Sequence, residues 1–160
     1  MAHDGQYDLM IETPVMKDIL ALTQQAIKPL ETLNTKAINN LRELVTLDNK
    51  VSSSLIETHQ SAAHGVAWLA TYTESIRQMV KWGEKVSEQN KFGQTEQLLL
   101  QIAVSEYLGQ ILGGIMMSQG EIFRLNDIGL TTLDLSEFQT QAVKDLIQNG
   151  NNQHARALLV

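Results

Sequence analysis

Three long stretches of the chain repeat apolar residues every three or four positions, and very little interrupts them. The first stripe runs through Ile19, Leu22, Ala26, Leu30, Leu33, Ala37, Leu41 and Leu44. The second runs through Leu55, His59, Ala62, Val66, Leu69, Thr73, Ile76, Val80 and Val86. The third places Leu98, Leu99, Ile102, Tyr107, Leu108, Ile111, Leu112 and Ile115 inward, in a helix expected over residues 95–117. This period is that of an α-helix with one buried face. Only two prolines occur in 160 residues, and one of them, Pro29, falls inside the first stripe. The apolar spacing continues across it, so one long helix kinked at Pro29 is expected.

The punctuation fits this reading. Thr13 followed by Pro14 has the form of an N-cap and first helical residue. Asp48, Asn49 and the serines Ser52, Ser53 and Ser54 separate the first two stripes, and Gly93 separates the second from the third. Ser54 and Glu57 have capping-box spacing, with a start one turn earlier also open. The second helix would then run for about 35 residues, roughly 50 Å. Short connections make successive helices antiparallel. Beyond Gly120 the pattern becomes irregular to Leu130. A shorter helix is expected from Ser136, whose spacing to Gln139 resembles a capping box, to Gly150, and another opens near Asn152. The expected architecture is an all-α antiparallel bundle of three long helices with one or two short C-terminal helices. Residues 1–13 form a loose arm, 14–130 the bundle and 131–160 the short helices. The last helix breaks off at Val160 after about two turns, short for a free helix, and a downstream domain is expected to follow.

Composition removes several function classes. There is no cysteine, hence no disulfide framework, thiolate metal site or cysteine nucleophile. Twelve Lys and Arg against eighteen Asp and Glu give a formal charge of −6, which offers no grip on nucleic acid phosphates. In residues 98–117, thirteen of twenty are apolar, but Gln101, Ser105, Glu106 and Gln110 lie among them. A glutamate near the middle of a membrane span costs roughly 2.5–3.5 kcal/mol, so a buried helix is expected there, in a cytoplasmic protein that does not enter a membrane. Residues 1–12 carry Asp4, Asp8 and Glu12 and no cation, the reverse of a signal-peptide start.

Candidate chemistry is sparse. A carboxylate-bridged metal pair needs Glu-x-x-His, and the chain has none; Glu57 and His59 are two apart and point in different directions. His59 and His64 are five apart, too wide for a shared ligand face. His64 has small neighbours, which makes it the better functional candidate, although a core-edge imidazole bonded to a neighbouring helix is the simpler reading. Glu106 lies in an apolar helix, where a structural ion pair with Arg77 or His64, or simple exposure, is expected ahead of acid–base work. Gly109, Gly113 and Gly114 suggest close helix approach or a cavity, since each glycine lowers helix stability by up to about 1 kcal/mol relative to alanine. Trp68, Tyr72 and Trp82 lie on or beside the second stripe as core or interface residues, and Met116 and Met117 read as core filling. No catalytic, cofactor-binding or metal-binding residue is assigned.

Two stretches resemble a known group. The first runs from Ala62 and Ala63 through His64-Gly65-Val66-Ala67-Trp68 and Tyr72 to Met79. The second runs from Phe92-Gly93 through Glu106-Tyr107-Leu108 and Gly113-Gly114-Ile115 to Ser118-Gln119-Gly120-Glu121-Ile122. Both resemble the helical N-terminal extension of bacterial acyl-CoA dehydrogenase-like flavoproteins, well over residues 55–130 and hardly at all over the first fifty. In such proteins the extension precedes a body that holds FAD, abstracts the α-proton of an acyl-CoA with a glutamate and passes hydride to the flavin. The resemblance implies FAD for the longer protein and none in this chain, a downstream dehydrogenase body as partner, and inactivity of the module alone. Self-association is also expected, through the first helix around Leu33 and Leu41. Two other readings stand beside it: a free-standing interaction module, and a small enzyme or carrier with a polar-lined pocket near His64, Gly109 and Gly113.

Overall fold

The computed structural model describes residues 14–118 and 120–159, and the expected N-cap Thr13 and loose arm 1–13 lie outside them. Three long helices dominate: α1 (Ile19–Val45), α3 (Gln60–Glu88) and α4 (Gln94–Gly113). A two-residue hairpin, β1 (Thr46–Leu47) and β2 (Lys50–Val51), and a short α2 (Ser53–Thr58) link α1 to α3. After α4 come a second hairpin, β3 (Ile115–Ser118) and β4 (Glu121–Phe123), and a 3-10 turn over Leu125–Ile128. The short helices α5 (Thr132–Phe138), α6 (Gln141–Asn149) and α7 (Gln153–Ala157) follow. The fold is all-α, with the strands confined to two small hairpins.

The helix order is antiparallel, as the cross-helix pairs show. Gln24 on α1 bonds Glu84 on α3, and Glu31 on α1 meets Arg77 on α3, so one number rises as the other falls. The same holds for α3 and α4, where Tyr72 bonds Gln110 and Gly83 lies against Leu100. The sequence stripes become the core: Ile19, Ala26, Leu30, Leu33 and Ala37 of α1 meet Val66, Leu69, Ile76 and Val80 of α3. Helix α1 runs unbroken through Pro29. Along that stripe Leu33 is fully buried, Leu41 half-buried and Leu44 exposed.

Several boundaries differ from the sequence reading. Helix α1 starts at Ile19, after Asp18 in the left-handed region at φ 54°, and not at Pro14. The cause is Gln101 on α4. Its Oε1 accepts from Met16 N at 2.8 Å, and its Nε2 donates to Pro14 O at 3.0 Å and Gly150 O at 2.9 Å. Those bonds hold residues 14–16 as a strap across α4. The expected 35-residue second helix is divided at His59, whose φ of −107° and ψ of 29° depart from helical values. Its N-cap is Ser52, the earlier of the two starts. Asp48 and Asn49 both take positive φ, 50° and 60°, which makes the break a tight hairpin turn suited to Asp and Asn.

Helix α4 stops at Gly113 and not at Met117. Gly114 has φ 123°, a conformation closed to other residues, and the chain turns into β3. Gly93 begins α4, its N–H donating to Glu96 Oε2 at 3.0 Å. The helix expected from Ser136 is two helices, because Thr131 and Thr140 are both N-caps. Asn152 caps α7 as its sequence position suggested, accepting from Ala155 N at 2.8 Å.

Helix α5 is tied to α1 by Lys36, whose Nζ donates to Asp134 at 2.6 Å and to Glu137 at 2.8 Å. The Lys36 bond, then those from the Thr131 hydroxyl and N–H, hold the Asp134 carboxyl well below the usual carboxylate range. A carboxyl depressed on folding stabilises at pH values above its unfolded value, near about 4, and loses that contribution as pH falls through the folded value. Asp134→Asn should therefore be less stable than the parent at pH 7, with the difference shrinking in acid, as followed by denaturant melts at several pH values. A gap that widens below pH 4 would contradict this. Gln101→Leu leaves three backbone groups without their partner and should cost about 2–4 kcal/mol in urea unfolding; a loss below about 1 kcal/mol would remove Gln101 from this role.

Candidate functional site

The residues singled out by sequence gather on the α3–α4 side of the bundle, but not in the expected arrangement. His64, Trp68 and Tyr72 follow one another along α3, and Tyr107 of α4 completes an aromatic ladder. Ring centroids are 6.3 Å apart for His64–Trp68, 6.1 Å for Trp68–Tyr72 and 4.5 Å for Tyr72–Tyr107. Trp68 and Tyr72 are edge-to-face, a favoured geometry for aromatic pairs. Trp68 Nε1 donates to His64 Nε2 at 2.9 Å. His64 is thus an exposed imidazole that accepts within its own helix, and not a core-edge group bonded to another helix.

A polar chain continues from the ladder. Tyr72 OH donates to Gln110 Oε1 at 2.7 Å, and Gln110 Nε2 donates to Glu106 Oε1 at 2.8 Å. The other oxygen of Glu106 accepts from Asn151 Nδ2, and Asn151 Oδ1 accepts from Arg156 at 2.6 Å. Partial burial, then the nearby Tyr107 and the Glu106 carboxylate, push the Tyr72 hydroxyl above its ordinary value, so it remains a donor. Glu106 is exposed and pairs with neither Arg77 nor His64. Arg77 lies on the other side of α3, with Nε 3.0 Å from Glu31 Oε1 and its guanidinium also on Glu74. Such partly exposed pairs contribute little to stability.

The glycines divide in a way the sequence pattern concealed. Among the described residues a Cβ built at Gly109 or Gly113 meets nothing within 4 Å, so neither marks close approach of a neighbouring helix of this bundle. Gly114 is needed, both for its φ and because a Cβ would stand 2.6 Å from Ile122. The close approaches are elsewhere. At Gly65 a Cβ would stand 2.0 Å from the Phe123 ring, which β4 lays onto α3, and at Gly150 it would stand 1.7 Å from Ser105 Oγ. Gln101 and Ser105, one turn apart on α4 and buried, were missed as structural residues. Their polarity inside an otherwise apolar helix was the available signal. Leu99 is 43 % exposed and Met116 69 % exposed, against the inward or core places expected for them. Trp82 is half-buried against the core.

No enclosed pocket lies around His64, Gly109 and Gly113 in the clefts found among the described residues. A cleft of about 930 Å³ is open and lies between the strap and the C-terminal helices, lined by Met16, Lys17, Asp145, Asn149, Asn152 and His154 among others. It has no Phe, Tyr or Trp wall against which a flavin ring could stack. Among the described residues, no three His, Asp or Glu side chains converge for a metal ion. Among the described residues, no helix is long and apolar enough to cross a membrane.

No protein-family model matches the chain. Over 151 residues, 94 % of the chain, it is 47 % identical to (2S)-methylsuccinyl-CoA dehydrogenase from Cereibacter sphaeroides. The match extends the resemblance to acyl-CoA dehydrogenase-like proteins well beyond residues 55–130. The chain spans about a quarter of that relative's length, since the matched part covers 27 % of it.

The contrast between the glycines is open to direct test. Gly65→Ala should destabilise by about 1–3 kcal/mol through overpacking against Phe123. Gly109→Ala should stabilise by up to about 1 kcal/mol, because helix propensity improves with nothing displaced. Thermal or urea melts of the two variants would decide, and equal effects at both positions would contradict the geometry.

Proposed function

We propose that this chain is the helical module of a longer acyl-CoA dehydrogenase-like flavoenzyme and serves its packing and assembly, with the redox chemistry carried by the remaining body. The identity of 47 % over nearly the whole chain, against coverage of 27 % of the relative, carries this reading. The side chains that might have carried chemistry support it. His64 accepts from Trp68, Glu106 from Gln110 and Asn151, and Arg77 meets two carboxylates on the bundle surface.

By the relative's name, the whole enzyme would act on a methylsuccinyl-CoA-like thioester, moving an α-proton to a base and a hydride to FAD. The cleft between the strap and the C-terminal helices is open and offers no large aromatic side chain against which a flavin ring could stack. FAD would therefore sit on the body. Self-association of the whole enzyme and a cytoplasmic location belong to the same reading.

The test compares the 160-residue chain with the full-length protein. The isolated chain should be colourless and should not turn over acyl-CoA with an electron acceptor, whereas the full-length protein should carry FAD and do so. Removing this segment should change the mass of the assembly seen by light scattering. Stoichiometric FAD on the isolated chain would overturn the proposal, as would a full-length protein without a flavin.

A further inference from the structure

Helix α4 is poor in charge: over Gln94–Gly113 it has two acids, Glu96 and Glu106, and no Lys or Arg. A helix of that kind belongs inside protein on all sides, whereas a surface helix carries a charged outer face. Helices α1 and α3 follow the surface pattern, with Lys28 and Glu31 or Glu74, Gln78 and Lys81 outward. Within this chain α4 is covered by α1, α3, α6, α7 and β3 but retains one open face. That face descends through Leu99, Ala103, Glu106, Gly109 and Gly113, spaced three or four apart, and Leu99, Glu106 and Gly113 are exposed. Its one charge, Glu106, is occupied by Gln110 and Asn151. Both glycines on it lower helix stability with no described residue in the space a Cβ would fill.

We propose that this open face of α4, from Leu99 through Glu106 and Gly109 to Gly113, is the surface on which the dehydrogenase body of the same polypeptide packs. The inference rests on the function proposed above, which supplies the occupant. The matched segment is 27 % of the relative, so a body nearly three times its size has to seat against this bundle somewhere. The path of the backbone favours this side. Helix α7 packs on α4, and Asn151 in the turn before it donates to Glu106, so the last described helix lies beside this face. Missing side chains at 109 and 113 let another backbone approach closely, the usual advantage of glycine on a helix face.

The absence of native cysteine from these residues permits a direct test in the full-length flavoenzyme. Gly109→Cys and, as an exposed reference on α1, Gln25→Cys are labelled with a maleimide and followed by peptide mass. Gly109→Cys displaces nothing, so the bundle should fold as before. In the holoenzyme the thiol at 109 should react at least about ten-fold more slowly than that at 25, as for a site reached only by local opening. Its protection should not change on dilution. Equal rates in an enzyme that holds FAD and turns over would overturn this inference and leave the proposed function standing. Protection lost on dilution would assign the face to a second copy and overturn the occupant. A full-length protein without FAD would instead overturn the function on which the inference rests.

Discussion

One buried amide holds the two ends of the described chain to the middle of the bundle. Gln101 is fully buried on α4, and its carboxamide meets the strap at Pro14 and Met16 and the turn at Gly150. An amide in a core is unfavourable unless its donor and acceptor are matched. Here the acceptor takes one N–H and the donor serves two carbonyls, so matching it fixes where both segments lie. Gly150 must then approach Ser105 so closely that no side chain fits. Placement of α6 and α7 against α4 follows from that turn, and with them the Asn151 bond to Glu106.

The long helices were legible because their signals are local. The stripes of α1 and α3 repeat within each helix, and almost every residue they placed inward is buried or half-buried. The helix starts near Gly93 and Asn152 were legible, but the capping-box spacings at Ser54 and Ser136 were not the caps used, which are Ser52, Thr131 and Thr140. The other failures depended on distant residues. Pro14 has the form of a helix start, but its carbonyl is claimed by a side chain 87 residues away. Residues 115–117 continue an apolar pattern, and only the backbone of Gly114, read as a packing glycine, turns them into a strand.

The candidate site was legible by membership and not by connection. His64, Trp68, Glu106 and Gly109 do lie on the same side, because α3 and α4 are neighbours. Periodicity could not set the rotation of α4, which has no polar face to mark the outside. Leu99 was accordingly placed inward, and for Glu106 an ion pair and simple exposure both stayed open until the structure showed it exposed. On α3, where charge marks the outside, Arg77 turns toward α1 and Glu31, away from α4.

The Gln101 clasp also determines how the bundle bears tension. A pull applied between the strap and the Gly150 turn does not have to peel α1 from α3 or α4 from α6. It arrives first at a single side chain, through two bonds on the strap side and one on the turn side. The two strap bonds act side by side and in series with the single bond to Gly150, so that one bond carries the whole load and is where the link gives way first. Helix α4 is thus the beam to which both lines are made fast, and the long helices beside it are spared the strain.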